Sequence, residues 1–352
     1  MAAEGRLRVV QIGMGGWGRD WARMVAPEVD EVELVGFVDP DPAALARLQR
    51  EVGVSARQCF SSLAEALPVV RADAALVTTS LPGHAPVTAS ALESGLHVLV
   101  EKPFTDSLER ARELVDLAAA NRVTLMVSQN YRFFPAVRAA AQLVREAELG
   151  QLYEVAIDFR RNDPAPPNPR RRHHADAHPL LVDMSIHHFD LLRLILRGEA
   201  TSVACEARNP SWSGYAGPPA ATCSIVFPDA MVSYRGSWIS AAAETAWAGE
   251  WRLEFERGQL FFTSRGEDNR LMDKVVMRAR RGRPRNVALP PMAHIDRAGA
   301  LTEFAHAVRD AREPETSGRD NLGSLAIMLA AVKSAERHEV VLVPQFHGPV
   351  PI

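Results

Sequence analysis

The chain has 352 residues, of which 47% are apolar, 24% charged and 7% aromatic. That length exceeds one comfortable core and predicts two domains, while the composition excludes a mostly disordered chain. A formal net charge of -3 provides no general attraction to nucleic acid or to an acidic membrane, so neither is expected as a partner.

Three cysteines, Cys59, Cys205 and Cys223, form an odd set without metal-ligand spacing and read as small buried hydrophobes of a reducing compartment. No apolar run of signal-peptide length follows the start, and none reaches the roughly 18 residues that span a bilayer. A soluble, cytoplasmic protein is expected.

In chain order, the first third alternates short apolar runs with helical patterns. Strands are predicted at Leu7–Ile12, Val32–Val38, 74–78, 96–100 and 123–127, with helices at 17–25, 42–51, 85–93 and 108–120. Such alternation favours a parallel sheet covered on both faces, because each parallel return needs a crossover. The texture changes near Gln129. A helix over 136–146 precedes a strand over 152–159, then a segment over 160–178 rich in Pro, Arg and His, and then an apolar helix over 183–196. Strands at 220–227, 231–239, 251–255 and 259–263 are joined by turns at 228–230 and 256–258. Helices at 298–311 and 321–337 and a strand at 340–343 complete an antiparallel sheet with helices on one side. The basic run 278–285 reads as a solvated loop.

The first strand ends in Gly13-Met14-Gly15-Gly16-Trp17-Gly18, which fits G-x-G-x-x-G, and Asp39 closes the second strand 21 residues after Gly18. Gly13 allows a tight turn, Gly15 lets backbone approach a pyrophosphate, and Gly18 permits close helix–strand packing. The helix N-terminus then offers unpaired N–H groups to phosphate. Asp39 can accept hydrogen bonds from both ribose hydroxyls and would repel a 2′-phosphate, so NAD is expected over NADP, with NADP possible. The competing reading is that Asp39 caps the following helix.

Glu101-Lys102-Pro103 ends the strand over 96–100, at the edge where ligands of open parallel sheets gather. Lys102 is thus a candidate to touch nicotinamide and a substrate hydroxyl; a surface lysine at a strand end is the plain alternative. Asp183 and His187 are four apart and share a helix face. A carboxylate beside an imidazole orients it and favours its protonated form, which suits a general base. The alternative is a hydrogen-bonded core histidine.

These patterns in order, together with the stretch DMSIHHFD over 183–190, closely resemble the Gfo/Idh/MocA family, which includes glucose–fructose oxidoreductase and inositol dehydrogenase. The resemblance spans nearly the whole chain. It implies an α/β fold: a Rossmann doubly wound parallel sheet over 1–128, then an α+β domain over 129–352 with a large open, mostly antiparallel sheet. That second domain would bind substrate and form a homodimer or homotetramer, and the last helix is a candidate to pack back on the first. The resemblance also implies Lys102, Asp183 and His187 as catalytic residues. Thr79 and His84, in a loop that approaches the cofactor in this family, join the glycine turn, Asp39, Glu101, Lys102, Gln129 and Asn130 as cofactor candidates. Tyr131 and His178 join the catalytic three as substrate candidates. Asn130 and Tyr131 equally suit a domain hinge with satisfied polar groups. Two departures, the absence of a glycine-rich stretch before Asp183 and Ser185 where glycine is common, bear on substrate class.

The expected reaction is hydride transfer between NAD(P) and a secondary alcohol of a sugar, cyclitol or related polyol. An NAD-dependent glycosidase and a non-catalytic NAD(P)-binding sensor are the alternatives. No metal site is expected from His173, His174, His178, His187 and His188, because Pro179 interrupts their helix and no Cys joins them. The three arginines at 170–172 are candidates to meet an acidic substrate group, with exposed loop charge as the alternative.

Overall fold

The computed structural model describes residues 5–163, 172–266 and 273–346. They divide into two compact units. One comprises the chain through Asn130 together with Ala293–Leu322, and the other Tyr131–Met292 together with the chain from Gly323.

In the first unit, β1 (Leu7–Ile12), β2 (Val32–Val38), β3 (Cys59–Phe60), β4 (Ala74–Val77), β5 (His97–Glu101) and β6 (Leu125–Ser128) form one parallel sheet in the order β3-β2-β1-β4-β5-β6. This is the six-stranded doubly wound order. The sequence reading missed β3, which has only two residues. All four residues of β4 are buried, as a strand covered on both faces requires. Between the strands run α1 (Gly16–Asp20), α2 (Pro42–Val52), α3 (Leu63–Ala66), α4 (Leu81–Glu93) and α5 (Leu108–Asn121). The order of connection reverses between the parallel neighbours β1 and β4, and the crevice this opens lies at their carboxyl ends. The helical path that starts at α1 widens into a π-type turn over Trp21–Val25.

The second unit begins with α6 (Pro135–Glu146) and β7 (Leu152–Arg160) and continues through α7 (Ile186–Leu196) into β8 (Ser202–Arg208), β9 (Ala220–Val226), β10 (Met231–Ser237), β11 (Glu250–Phe255), β12 (Gly258–Thr263), β13 (Lys274–Ala279) and β14 (Arg285–Asn286). After α8 (Asp296–Arg309), which groups with the first unit, come α9 (Gly318–Arg337) and β15 (Val341–Leu342). The sheet order is β14-β13-β12-β11-β7-β10-β9-β8-β15, antiparallel throughout except for the parallel pair β7 and β10. This agrees with the expected open, mostly antiparallel sheet.

Alternation sorts the strand residues. Val232, Tyr234 and Gly236 point into the core, while Met231, Ser233 and Arg235 face outward. The outward face carries Asp158 with Arg160, Arg235 and Arg252 around it. Strands β8, β13 and β14 escaped the sequence reading. Arg278 belongs to β13 and Arg285 to β14, so the basic run 278–285 contains a hairpin instead of one solvated loop. Among the described residues, no helix is long and apolar enough to cross a membrane.

Candidate active site

The glycine turn shows a distinct constraint at each position. Gly13 adopts φ +99°, and a Cβ there would stand 2.6 Å from the Thr79 backbone nitrogen. A Cβ on Gly18 would come within 1.9 Å of the Gly13 oxygen, so that position must lack a side chain. At Gly15 and Gly16 nothing lies within 4 Å of such an atom, which leaves the backbone at the start of α1 open to a ligand. Buttressing comes from two residues the sequence reading missed. Gln11 Nε2 donates to the Gly18 oxygen at 2.7 Å and to Thr78 Oγ1 at 3.1 Å. Thr78 Oγ1 in turn donates to the Gly13 oxygen at 2.8 Å.

Asp39 directly follows β2, with one carboxylate oxygen accepting from Met14 N at 2.6 Å and the other from Asp41 N at 2.9 Å. Asp41, not Asp39, caps α2: its side chain accepts from Ala43 N, and Pro42 occupies the first turn. The turn and the carboxylate therefore fit a dinucleotide whose diphosphate meets the helix start and whose ribose meets Asp39.

The Lys102 turn is held from two sides. Glu101 is 4% exposed, and its Oε1 accepts from Trp17 Nε1 at 2.8 Å and Trp21 Nε1 at 2.7 Å, while Oε2 accepts from Lys102 N at 3.1 Å. The Arg297 guanidinium lies 4.1 Å from the Trp17 ring centre and donates to Asp20 at 2.7 Å. On the other side, His84 places Nδ1 2.7 Å from the Pro103 oxygen and Nε2 3.1 Å from the Thr79 oxygen. The Lys102–Pro103 bond is cis. His84 is buried, and that burial pushes its imidazole below the usual range. Its ring, like the Glu101 carboxylate, is thus turned to protein groups around Lys102. Thr79 Oγ1 is a buried hydroxyl without a hydrogen-bond partner among the described residues.

Gln129 is buried, with both amide atoms lacking hydrogen-bond partners among the described residues. Asn130 donates through Nδ2 to Asp296, which has φ +56° at the start of α8.

In the second unit, the helix expected over 183–196 begins as a π-helical turn, Pro179–Ser185, before becoming α7. Asp183 lies in that wide turn and His187 just beyond it. Such turns recur at functional sites, where the extra residue re-aims side chains. His187 is 4% exposed and lies flat on Tyr131, with ring centres 4.0 Å apart and planes 8° apart. The Tyr131 hydroxyl accepts from Arg265 Nη1, and the guanidinium lies 4.7 Å from the phenol ring centre. Sequence reading missed Arg265, 134 residues from Tyr131. Its one backbone mark, φ +59°, is invisible in the residue type.

The neighbouring His188 faces elsewhere: Nε2 meets the Trp247 oxygen at 3.1 Å and Nδ1 the Tyr234 hydroxyl at 3.3 Å. Complete burial pushes its pKa down to about 4. His178, a substrate candidate, places Nε2 2.9 Å from Glu336 Oε1 in α9. His174 lies 3.5 Å from Asp163. Among the described residues, no group of three His, Cys, Asp or Glu side chains is placed to hold a metal ion. Arg170 and Arg171 lie outside the described residues. A groove of about 320 Å³ lined by His97, Arg122 and Arg312 sits where β5 and β6 begin, at the opposite edge from Lys102.

Two family profiles match this chain: an oxidoreductase family with an NAD-binding Rossmann fold over residues 7–129, and a GFO/IDH/MocA C-terminal domain over residues 137–261. The chain belongs to the Gfo/Idh/MocA oxidoreductase family. Its first domain is the family's NAD-binding Rossmann domain. Among Gfo/Idh/MocA relatives, D-apiose dehydrogenase of Paraburkholderia graminis is 24% identical over 92% of this chain and 86% of its own. Inositol 2-dehydrogenase of Rhizobium meliloti is 25% identical, covering 94% of this chain and 97% of its own. In structure, the chain is similar to an inositol dehydrogenase homolog from Azotobacter vinelandii crystallised with NADH and myo-inositol. That likeness has a TM-score of 0.82 at 20% identity and covers 96% of this chain and 98% of the other.

Proposed function

We propose that this oxidoreductase interconverts a secondary alcohol and a carbonyl on a sugar, cyclitol or related polyol. The observation that carries the reading is the buried His187 imidazole, stacked on Tyr131 one turn beyond Asp183. Relatives named as inositol 2-dehydrogenase and D-apiose dehydrogenase support the substrate class. The sheet's outward face, with its ring of charges about Asp158, is where we place self-association into a dimer or tetramer.

In this reading the glycine turn and Asp39 would hold NAD, which when bound would supply an acceptor for the hydride of the carbinol carbon. His187 takes the proton from the hydroxyl oxygen, so that a carbonyl remains. Asp183 orients the ring and favours its protonated form. Lys102 binds the substrate oxygen and stabilises negative charge as the proton departs. His187→Ala should lower turnover by about 10²–10⁴, the usual worth of general acid–base help, while NAD affinity stays within about threefold. Near-full turnover in that variant would remove His187 from the role.

A further inference from the structure

Trp17 makes a bond that its surroundings do not demand. Trp21 is fully buried, so its indole N–H must find a protein partner, and it donates to Glu101 Oε1 at 2.7 Å. Trp17 is 45% exposed, where water is an available acceptor, yet its Nε1 donates to that same oxygen at 2.8 Å. The reach is also long. Trp17 belongs to the first turn after β1, Glu101 ends β5, and β4 lies between those two strands in the sheet. The indole thus crosses the end of a whole strand to meet the turn that carries Lys102. There Glu101, 4% exposed, gives its other oxygen to Lys102 N at 3.1 Å, so one buried carboxylate joins two indoles to the backbone of the lysine.

A cation backs the arrangement. The Arg297 guanidinium lies 4.1 Å from the Trp17 ring centre and 5.6 Å from that of Trp21, and its Nη2 donates to Asp20 Oδ2 at 2.7 Å. Its Nε and Nη1 are buried and make no hydrogen bond among the described residues, so the ring faces stand in for acceptors. Positive charge held against an indole draws electron density from the ring and strengthens its N–H as a donor to a carboxylate.

Resting on the dehydrogenase reading above, we propose that Trp17 is a positioning residue for Lys102: through Glu101 it fixes the backbone that carries the lysine, and Arg297 strengthens that hold through the indole ring. Trp17 then serves the chemistry at Lys102 in a way that is separable from affinity for NAD.

The test uses the full-length enzyme with NAD and a panel of aldoses and inositols. Trp17→Phe keeps a ring against Arg297 but removes the N–H, Trp17→His keeps a ring N–H, and Arg297→Met removes the cation but keeps much of the bulk. W17F should lose about tenfold in kcat, near the worth of one charge-assisted hydrogen bond, while KM for NAD stays within about threefold. W17H should recover part of the rate, and R297M should lose about threefold. Acetylation of Lys102 in the enzyme without NAD, followed by peptide mass spectrometry, is a readout independent of turnover. Its rate should change by about threefold or more in W17F, with the other two lysines, Lys274 and Lys333, labelled as in wild type. A W17F variant that matches wild type in kcat and in Lys102 labelling overturns the proposal. So does a loss confined to KM for NAD, which would make Trp17 a cofactor contact only, and so does faster labelling of all three lysines, which would mean general loosening. If no compound reduces NAD yet W17F alters labelling at Lys102 alone, the dehydrogenase reading fails and the positioning role stands. With neither response, both fall.

Discussion

Arg132 grips both carboxylate oxygens of Asp190, Nε to Oδ2 and Nη2 to Oδ1, each at 2.7 Å, with side chains 0% and 1% exposed. Ser324 Oγ adds a third donor to Asp190 Oδ1 at 2.6 Å and accepts from Arg193 Nη1 at 3.0 Å. Removing one partner strands a buried charge. Arg132→Met or Asp190→Leu alone should therefore cost about 3–5 kcal/mol of unfolding free energy, while the double replacement should cost less than either single one. Chemical denaturation of the three variants checks this, and additive losses would count against the pair as a unit.

Acid should weaken the fold through His188. Its folded pKa of about 4 lies below the ordinary 6.5, so the unfolded chain binds more protons between those values. Stability from this group is complete above about pH 6.5 and is lost as pH falls toward 4, by about 3 kcal/mol. Replacing His188 with Gln should flatten the urea-midpoint profile in that window. A profile as steep as wild type would assign the acid sensitivity elsewhere.

Cofactor choice should turn on Asp39. Replacing it with Ser removes the negative charge and the acceptor for Met14 N. Use of NADP should rise relative to NAD by about 10- to 100-fold in kcat/KM. An unchanged ratio would mean that another group sets the preference.

His84 should act on Lys102 and not on NAD. Because its ring meets the Pro103 and Thr79 carbonyls, His84→Ala frees the turn that carries Lys102. Turnover should fall about tenfold, near the loss of one buried hydrogen bond, with NAD affinity within about threefold of wild type. His84→Gln, which can still donate to Pro103, should recover most of the rate. Equal loss of NAD binding would mean that His84 serves the cofactor site directly.

What the sequence revealed follows the reach of its patterns. The roles of Gly13 and Gly18 were legible because backbone conformation and close approach leave a mark on residue type. The Asp39 pattern was equally local. Strands such as β10 alternate cleanly and were found, whereas β13 hides behind Arg278 and Ala279, both exposed. Arg265 and the Arg132–Asp190 pair depend on contacts 134 and 58 residues apart, and no short window carries such a relation. His84 stood out as a cofactor candidate, but its contacts to the Pro103 and Thr79 oxygens were not legible, since a sequence cannot say which way a ring turns.

The wide turn at Pro179–Ser185 sets the phase of everything before α7. A wide turn holds about one residue more than an ordinary one, and each residue of a regular helix advances the chain by about 100°, so deleting one residue ahead of Asp183 would swing the segment upstream by about that angle while Asp183 and His187 kept their spacing of four. A single codon loss there would part His178 from Glu336 without altering either side chain. A spacing of four aligns on a straight helix as well, so what the extra residue governs is the direction from which the chain enters α7.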